Sequence, residues 1–299
     1  MARAREAARR SSCQNNLKQW GLVFKMYAGE AKGERYPRML IRDGRVPIFR
    51  NCDSADPTLR PYDTLFIAIG PDTTTLYPEY LTDPAIFFCP SDAKSSIKDI
   101  TNDATGENTA GWLCTDANYG AAAVDESYAY LGWVIDKGET TDNPMQFGPL
   151  PPYLPNPITA PGQLVEFATR AFIPVYMDPS QWSQYVDKDI EVTPGLGNGG
   201  SSTVYRLREG IERFLITDIN NPSASAMAQS TVWIMFDHVG TDPSVYNHIP
   251  GGSNVLYMDG HVEFIRYIAE DPANPTGASK APVNAGIAQV LRFIDWSNP

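Results

Sequence analysis

The feature that most restricts the fold is an uninterrupted segment at residues 2–28, which contains no proline and a single glycine, Gly21. Side chains able to form an apolar stripe recur in it at steps of four, three, four and three residues. They are Cys13, Leu17, Trp20, Phe24 and Tyr27. This spacing returns to one side of a helix with 3.6 residues per turn. The sequence therefore predicts a long amphipathic helix at the start of the chain.

Charge is divided unevenly between this helix and the rest of the chain. The first 20 residues carry five positive charges and one negative charge, and the remaining 279 residues carry −15, since the whole chain carries −11. The division suggests that the helix start lies near an anionic partner while the rest faces solvent. The acidic balance opposes nucleic acid as the main partner, because binding to it depends on Lys and Arg side chains that neutralise phosphates.

Composition beyond the helix favours short strands joined by long loops, because the chain contains 25 prolines and 23 glycines. Strand-like apolar content occurs at residues 64–70, 127–135, 164–178 and 231–236. A second amphipathic helix is predicted at residues 285–296. No apolar run near 18 residues occurs, so the sequence as given contains no predicted transmembrane span.

The strongest local signal is a β-hairpin at residues 254–265, which read NVLYMDGHVEFI. Two alternating apolar runs flank Asp259-Gly260, a pair preferred in two-residue type I′ turns. Such a turn pairs Tyr257 with Val262 and Val255 with Phe264. The four side chains of these two pairs are then predicted to share one core-facing surface.

Four cysteines occur, at positions 13, 52, 89 and 114, and none forms a C-x-x-C pair. The spacing typical of zinc fingers is therefore absent. The cysteines form either disulfides in an oxidising compartment or buried thiols. Cys89 and Cys114 flank a polar loop, and we predict a bridge between them. Cys13 is interpreted either as a buried thiol on the helix stripe or as the partner of Cys52.

A candidate metal site lies late in the chain, where all three histidines fall within 24 residues and share that window with three aspartates. These residues are Asp237, His238, Asp242, His248, Asp259 and His261. Imidazole and carboxylate are ordinary zinc ligands, and a calcium site would use Asp237, Asp242 and backbone carbonyls. In the alternative interpretation, Asp259 serves the turn, His261 occupies the outer face of the hairpin, and His248 braces residues 250–252.

Two other classes of function have weaker support in the sequence. An acid, a base and a nucleophile are available from Asp237, His238 and Ser253, but the chain lacks a G-x-S-x-G motif. An enzyme is therefore not predicted. The alternative to a structural protein is a secreted or surface module that binds carbohydrate or another ligand without catalysis. Six tryptophans and 15 tyrosines in a loop-rich chain would supply its stacking surfaces.

Several segments together resemble bacterial type IV pilin-like proteins, which are relatives of type II secretion pseudopilins. The segments are AREAARRSSCQNNLKQWGLVFKMYA, FFCPSD, SYAY, LREGIERFLITDINNP and HIPGGSNVLYMDGHVEFI. The family has a C-terminal signature in which a histidine precedes Asp-Gly. Ten residues separate His248 from Asp259 here, one more than in that signature. The loop between them is therefore expected to have a different shape.

The resemblance implies an α+β fold, in which a long N-terminal helix packs on an antiparallel β-sheet with large loop insertions. The helix would occupy residues 1–36. A loop-rich head would occupy residues 37–299 and end in the 254–265 hairpin and a C-terminal helix. Since related pseudopilins hold calcium in a late loop, calcium is expected ahead of zinc.

The resemblance also implies a structural role in the cell envelope, on the periplasmic or extracellular side. Family members begin with a leader and an apolar stretch that runs into the helix. Met1 is therefore expected to follow the membrane-anchoring half of that helix at the inner membrane, where anionic lipid would attract its basic start. Other pilin or pseudopilin subunits are the expected partners. They would bind through the helix that carries Leu17, Trp20, Phe24 and Tyr27.

Overall fold

A computed structural model describes residues 2–55, 59–61, 65–115, 118–150, 154, 156–215, 228–240, 246–248, 251–269 and 279–294. Within these ranges the α-helices are α1 (Ala2–Glu30), α2 (Gly162–Ala171), α3 (Ile173–Met177), α4 (Trp182–Tyr185) and α5 (Ala285–Ile294). The strands are β1 (Met39–Asp43), β2 (Phe49–Arg50), β3 (Leu59–Arg60), β4 (Leu65–Pro71), β5 (Tyr128–Ala129), β6 (Met145–Phe147), β7 (Ile158–Ala160), β8 (Ile190–Glu191), β9 (Thr203–Val204), β10 (Trp233–Asp237), β11 (Gly252–Tyr257) and β12 (Val262–Arg266). Short 3₁₀ helices include Thr73–Thr75, Pro84–Phe87 and Ile211–Phe214.

The predicted N-terminal helix is confirmed as α1, which runs without a break to Glu30. Leu17, Trp20 and Phe24 are fully buried, and Tyr27 is half-buried. The stripe of apolar side chains is therefore the face by which α1 packs against the rest of the protein.

That face covers a four-stranded antiparallel sheet with the strand order β12-β11-β10-β5. Helix α1 contacts three of its strands, β10, β11 and β12. The helix passes close to the sheet at Gly21, where an added Cβ atom would lie 3.4 Å from Leu256 Cδ1. A glycine inside a helix costs about 1 kcal/mol relative to alanine. Here the glycine lets the helix backbone approach the sheet closely. A long helix packed on an antiparallel sheet confirms the predicted α+β fold class.

Strand β11 is buried on both faces, so the sheet separates two apolar cores. Leu256 lies in the core that contains Trp20 and Phe24 of α1. Val255 and Tyr257 lie in the second core, to which α2, α5 and the β1–β4 pair contribute. Strand β11, an interior strand of the sheet, therefore joins the core beneath α1 to the core of the rest of the head.

The predicted hairpin exists, but its register is wrong by one residue. Strands β11 and β12 pair Val255 with Glu263 and Leu256 with Val262. Because neighbouring side chains of a strand point to opposite faces, a slip of one residue changes which side chains share a surface. Val262 lies on the α1 side with Leu256, and Phe264 pairs with Asn254 instead of Val255.

The turn geometry explains the slip. The Tyr257 amide donates to the His261 carbonyl at 3.0 Å, which leaves three residues in the turn instead of two. A type I′ turn needs positive φ at both central positions, whereas only Gly260, at φ +90°, adopts it here. The Asp259 carboxylate instead accepts a hydrogen bond from the His261 amide at 3.0 Å. Glycine in the left-handed conformation is typical of three-residue hairpin loops.

Other predicted elements had mixed outcomes. The strand predictions at residues 64–70 and 231–236 correspond to β4 and β10, and the C-terminal helix prediction corresponds to α5. In contrast, the predicted strand at residues 164–178 is wrong, because the chain forms α2 and α3 there. The buried positions of α2 recur at helical spacing, for example Leu164, Phe167, Ala168 and Ala171. None of the helices in the described part of the chain is long and apolar enough to cross a membrane.

A buried ion pair holds the start of the β1–β4 pair. The Asp72 carboxylate has no exposed surface, accepts a hydrogen bond from Arg38 Nε at 2.9 Å, and pairs with Arg42 Nη2. Burial by itself would raise the pKa of Asp72, but Arg42, the Thr74 hydroxyl and Arg38 hold it below its usual range. The carboxylate form is therefore the form that stabilises the fold.

Replacing Asp72 by asparagine is expected to lower the free energy of unfolding by about 3 kcal/mol at pH 7, because Arg42 stays buried without a charged partner. A depressed pKa contributes stability above the unfolded value of about 4, and this stability is lost as the pH falls through the folded value. Urea unfolding at pH 7 and pH 3 should show the deficit shrinking at pH 3. Glu79→Gln, at an exposed position, is the control. An equal deficit at both pH values would contradict this account.

Candidate functional site

Segments that are distant in the sequence meet along α1. The indole Nε1 of Trp20 donates to the carbonyl of Ile86 at 3.1 Å. The amide Nδ2 of Asn16 donates to the carbonyl of Phe88 at 3.0 Å, and the rings of Trp20 and Phe87 stack with centroids 5.6 Å apart. The FFCPSD segment is therefore a docking platform for the helix.

Two further segments of the resemblance contact the same helix. In SYAY, the ring of Tyr130 packs against Phe24 with centroids 5.0 Å apart. In the LREGIERF segment, Glu209 accepts from Lys25 Nζ at 3.0 Å and from the hydroxyl of Tyr36 at 2.8 Å. The segments that carry the sequence resemblance thus share one structural task, which is to hold α1.

The disulfides differ from the prediction. The structure bonds Cys13 to Cys89 and Cys52 to Cys114, with Cα–Cα distances of 5.3 and 5.4 Å. The predicted Cys89–Cys114 bridge is wrong, and so is the interpretation that joined Cys13 to Cys52. Docking of α1 on residues 86–88 places Cys13 beside Cys89. The parallel bridge between Arg50 and Cys114 places Cys52 beside Cys114. Both pairings depend on tertiary contacts, so the distance between cysteines along the sequence did not predict which of them pair.

A buried histidine lies next to the Cys13–Cys89 bond. His248 has no exposed side-chain surface; its Nδ1 lies 2.9 Å from Glu6 Oε1 and its Nε2 lies 2.9 Å from Asp237 Oδ2. Burial disfavours the charged imidazole, but hydrogen bonds and charge from Asp237 and Glu6 outweigh it and raise the pKa of His248. A doubly protonated ring donates to both carboxylates, so the arrangement favours imidazolium.

Four elements position these side chains. Glu6 and Cys13 are seven residues apart on α1 and therefore face the same way after two turns. Asp237 is the last residue of β10, and Cys89 follows the 3₁₀ helix at 84–87. The segment that carries His248 is tied to the end of the sheet by Asn247, whose Nδ2 donates to the Ser127 carbonyl at 3.1 Å.

Asp237 is surrounded by polar groups but is not fully satisfied. Its Oδ2 accepts from the backbone amide and the Nδ2 of Asn254 at 2.9 and 2.7 Å. Its backbone carbonyl accepts from the hydroxyl of Ser253 at 2.9 Å. Within the described residues, Asp237 Oδ1 and Asn254 Oδ1 are buried and have no hydrogen-bond partner. Such unpaired buried acceptors are costly and are uncommon in native proteins.

Together these residues form what we term the junction cluster: Cys13, Cys89, Asp237 and His248. One ligand-type atom from each lies within 4.8 Å of all the others, and all four residues are buried. Cys89 Sγ is 3.6 Å from His248 Nε2. The cluster offers two sulfur atoms, one nitrogen and one oxygen. Calcium prefers six to eight oxygen ligands, which these four atoms do not supply. Sulfur and imidazole suit zinc, but zinc takes cysteine as the thiolate, and here the two sulfurs are joined in a disulfide.

The structure brings together only part of the predicted metal site. Asp237 and His248 belong to the junction cluster. His238 follows Asp237 but is hydrogen-bonded to the backbone of Asp125, and burial lowers its pKa. Asp242 lies outside the described residues.

The remaining two predicted ligands pair with each other at the hairpin turn. The Nδ1 of His261 lies 2.6 Å from Asp259 Oδ1, and both side chains are partly exposed. The imidazole of His261 also stacks on the ring of Tyr257 at a centroid distance of 4.4 Å. This geometry agrees with the interpretation in which Asp259 serves the turn and His261 occupies the outer face of the hairpin.

No sequence pattern assigned Cys13 and Cys89 to this site. Their separation of 76 residues carries no ligand-spacing signal. A cysteine at the start of the buried stripe and another within FFCPSD were the available signals. They become informative only once the helix is docked on that segment.

Comparison with known proteins adds one finding at the start of the chain. A family model described as a protein of unknown function (DUF1559) matches residues 2–52. The match includes all of α1 and ends at Cys52. No curated protein and no solved structure matches the chain. The FFCPSD segment and the late Asp-Gly lie outside the matched residues, so the family match does not bear on the resemblance of those two segments.

Removing the helix disulfide with Cys13→Ala/Cys89→Ala is expected to lower the free energy of unfolding by roughly 2–4 kcal/mol, because the unfolded chain loses a long-range constraint. Hydrogen exchange should also accelerate at the α1 amides of residues 6–16. The matched control is Cys52→Ala/Cys114→Ala, which removes a similar separation of 62 residues. It should lose comparable stability with α1 protection retained. Equal loss of α1 protection in both variants would contradict a specific role of Cys13–Cys89 in holding the helix.

Proposed function

We propose that this protein is a structural, pilin-like subunit of the cell envelope, which assembles with other pilin-type subunits through α1 into a filament or secretion pseudopilus. The observation that carries the proposal is the packing of α1. One face of the helix is buried on the head, and the opposite face remains available to a neighbouring subunit.

The available face includes apolar side chains. Leu22 and Met26 are 63% and 52% exposed, and residues four apart lie on the same face of a helix. Exposed single apolar residues are common on soluble proteins. Here two adjacent ones lie on the outer surface of a helix whose inner surface is already filled. Contact with an α1 helix of another subunit would bury both.

The start of α1 differs from its remainder. Cys13 is the first fully buried residue of the described helix, and most side chains between residues 4 and 12 are exposed. Exceptions are Glu6, which pairs with His248, and Arg10, whose guanidinium lies 4.4 Å above the ring of Phe264. Exposed arginines at this end would contribute ~1 kcal/mol each beside anionic lipid headgroups.

A filament subunit needs a head that stays in one orientation relative to its helix. The Cys13–Cys89 bond, the Trp20 and Asn16 hydrogen bonds and the Lys25–Glu209 ion pair all join α1 to the head. The sequence resemblance and the family match at residues 2–52 support the same proposal.

Site-specific photocrosslinking tests the proposal in envelope fractions of cells that express the full-length protein. A benzophenone amino acid at Leu22 or Met26 should form adducts with a second copy or with another pilin-type subunit. The matched control is Met177, which is 79% exposed on α3 of the head. The control should give no such adducts. Absence of subunit adducts at both helix positions, with binding to a polysaccharide instead, would favour the ligand-binding alternative and overturn the proposal.

A further inference from the structure

The junction cluster has a second chemical state that the disulfide conceals. In the oxidised state, the sulfurs of Cys13 and Cys89 are bonded to each other while His248 and Asp237 lie beside them. Breaking the S–S bond would leave four potential metal ligands facing one small buried volume. We propose that, when this disulfide is reduced, Cys13, Cys89, His248 and Asp237 bind one zinc ion.

The geometry needs only a small rearrangement. The four ligand atoms already lie within 4.8 Å of one another. In a tetrahedral zinc site with bonds of about 2.0–2.3 Å, neighbouring ligand atoms are roughly 3.3–3.8 Å apart. The two sulfurs would move apart after reduction, and His248 Nε2 and Asp237 Oδ2, which are now 2.9 Å apart, would separate slightly. Cys89 Sγ and His248 Nε2, at 3.6 Å, already have the required spacing. Both cysteines come from well-anchored segments, α1 and the FFCPSD platform.

Unsatisfied polar groups point to the same ligand. Asp237 Oδ1 has no hydrogen-bond partner in the described structure, although the residue has no exposed surface. A bound cation would satisfy it. The Cys52–Cys114 bond provides a contrast, because the ligand-type cluster found in the described residues surrounds only Cys13 and Cys89.

A second layer of residues is arranged as metal sites require. Histidine ligands usually donate their other ring nitrogen to a carboxylate or carbonyl, which fixes the tautomer and the ring orientation. Here Nδ1 of His248 faces Glu6 Oε1 at 2.9 Å, so Nε2 is directed at the cluster. Asn254 Nδ2 donates to Asp237 Oδ2 at 2.7 Å and orients that carboxylate. Glu6 and Asn254 are therefore positioning residues.

The chemistry balances with a dithiol reductant. Two electrons and two protons pass from the dithiol, which becomes a disulfide, to the Cys13–Cys89 bond, which becomes two thiols. Zinc binding then releases the two thiol protons and the Nε2 proton of His248 to solvent. Two Zn–S bonds, one Zn–N bond and one Zn–O bond form. The covalent link between α1 and the head is thereby replaced by a link through the metal.

Cobalt(II) and zinc titration of the reduced full-length protein under anaerobic conditions tests this proposal. One cobalt per chain should bind, with thiolate-to-cobalt charge-transfer and tetrahedral d–d absorption, and zinc should displace it. The oxidised protein should show neither signal. Cys52→Ala/Cys114→Ala should retain binding, whereas Cys13→Ala/Cys89→Ala should abolish it. Glu6→Gln should weaken binding by about 10-fold, as expected for a partner of a histidine ligand.

Circular dichroism of each variant separates loss of the site from loss of the fold. His248→Gln removes the nitrogen ligand and should also abolish cobalt binding. If that variant is unfolded, Glu6→Gln and Cys13→Ala/Cys89→Ala still decide between the outcomes, because their changes are smaller. The proposal is overturned if the reduced, folded wild type binds no cobalt. It is also overturned if cobalt binding survives in folded Cys13→Ala/Cys89→Ala or requires Cys52 and Cys114.

Discussion

The contact on which the rest of the structure depends is the burial of the α1 stripe against strand β11. Burying a Leu or Phe side chain contributes about 1.5–3 kcal/mol, and Leu17, Trp20 and Phe24 are all fully buried. Their sum is comparable to the whole net stability of a typical domain, which is roughly 5–15 kcal/mol. Since the other face of β11 is buried as well, the strand that packs against α1 also packs against the second core.

Apolar burial stabilises the helix on the sheet, whereas polar contacts define where along the sheet it lies. The hydrogen bonds from Asn16 and Trp20 to the backbone at residues 86–88 require one axial position of α1. The hydrogen-bonded chain Glu6–His248–Asp237 requires the same axial position about three to four turns earlier in the helix. A shift of the helix would leave these buried groups unpaired, at a cost of about 1–3 kcal/mol for each neutral group and more for charged ones.

Helical periodicity was sufficient to predict α1 and the C-terminal helix, and short apolar runs were sufficient to predict β4 and β10, because each element carries its pattern within its own residues. It failed where two structures are compatible with the same local sequence. Asp259-Gly260 suits both a two-residue and a three-residue turn, and the choice changes the register by one residue. The apolar residues of α2 resemble a buried strand when the wider helical spacing is overlooked. For the candidate site, the sequence indicated Asp237 and His248, but Cys13 and Cys89 join them only through the docking of α1.

The position of the helix disulfide has a mechanical consequence. Cys13 lies where α1 first becomes buried, between its exposed start and the packed remainder. Tension applied along the helix from its exposed end therefore reaches a covalent bond before it reaches the aromatic stripe. The packed turns cannot be peeled from the head one after another. The disulfide shares the load between α1 and the backbone at Cys89, so pulling on the helix loads its contacts with the head together.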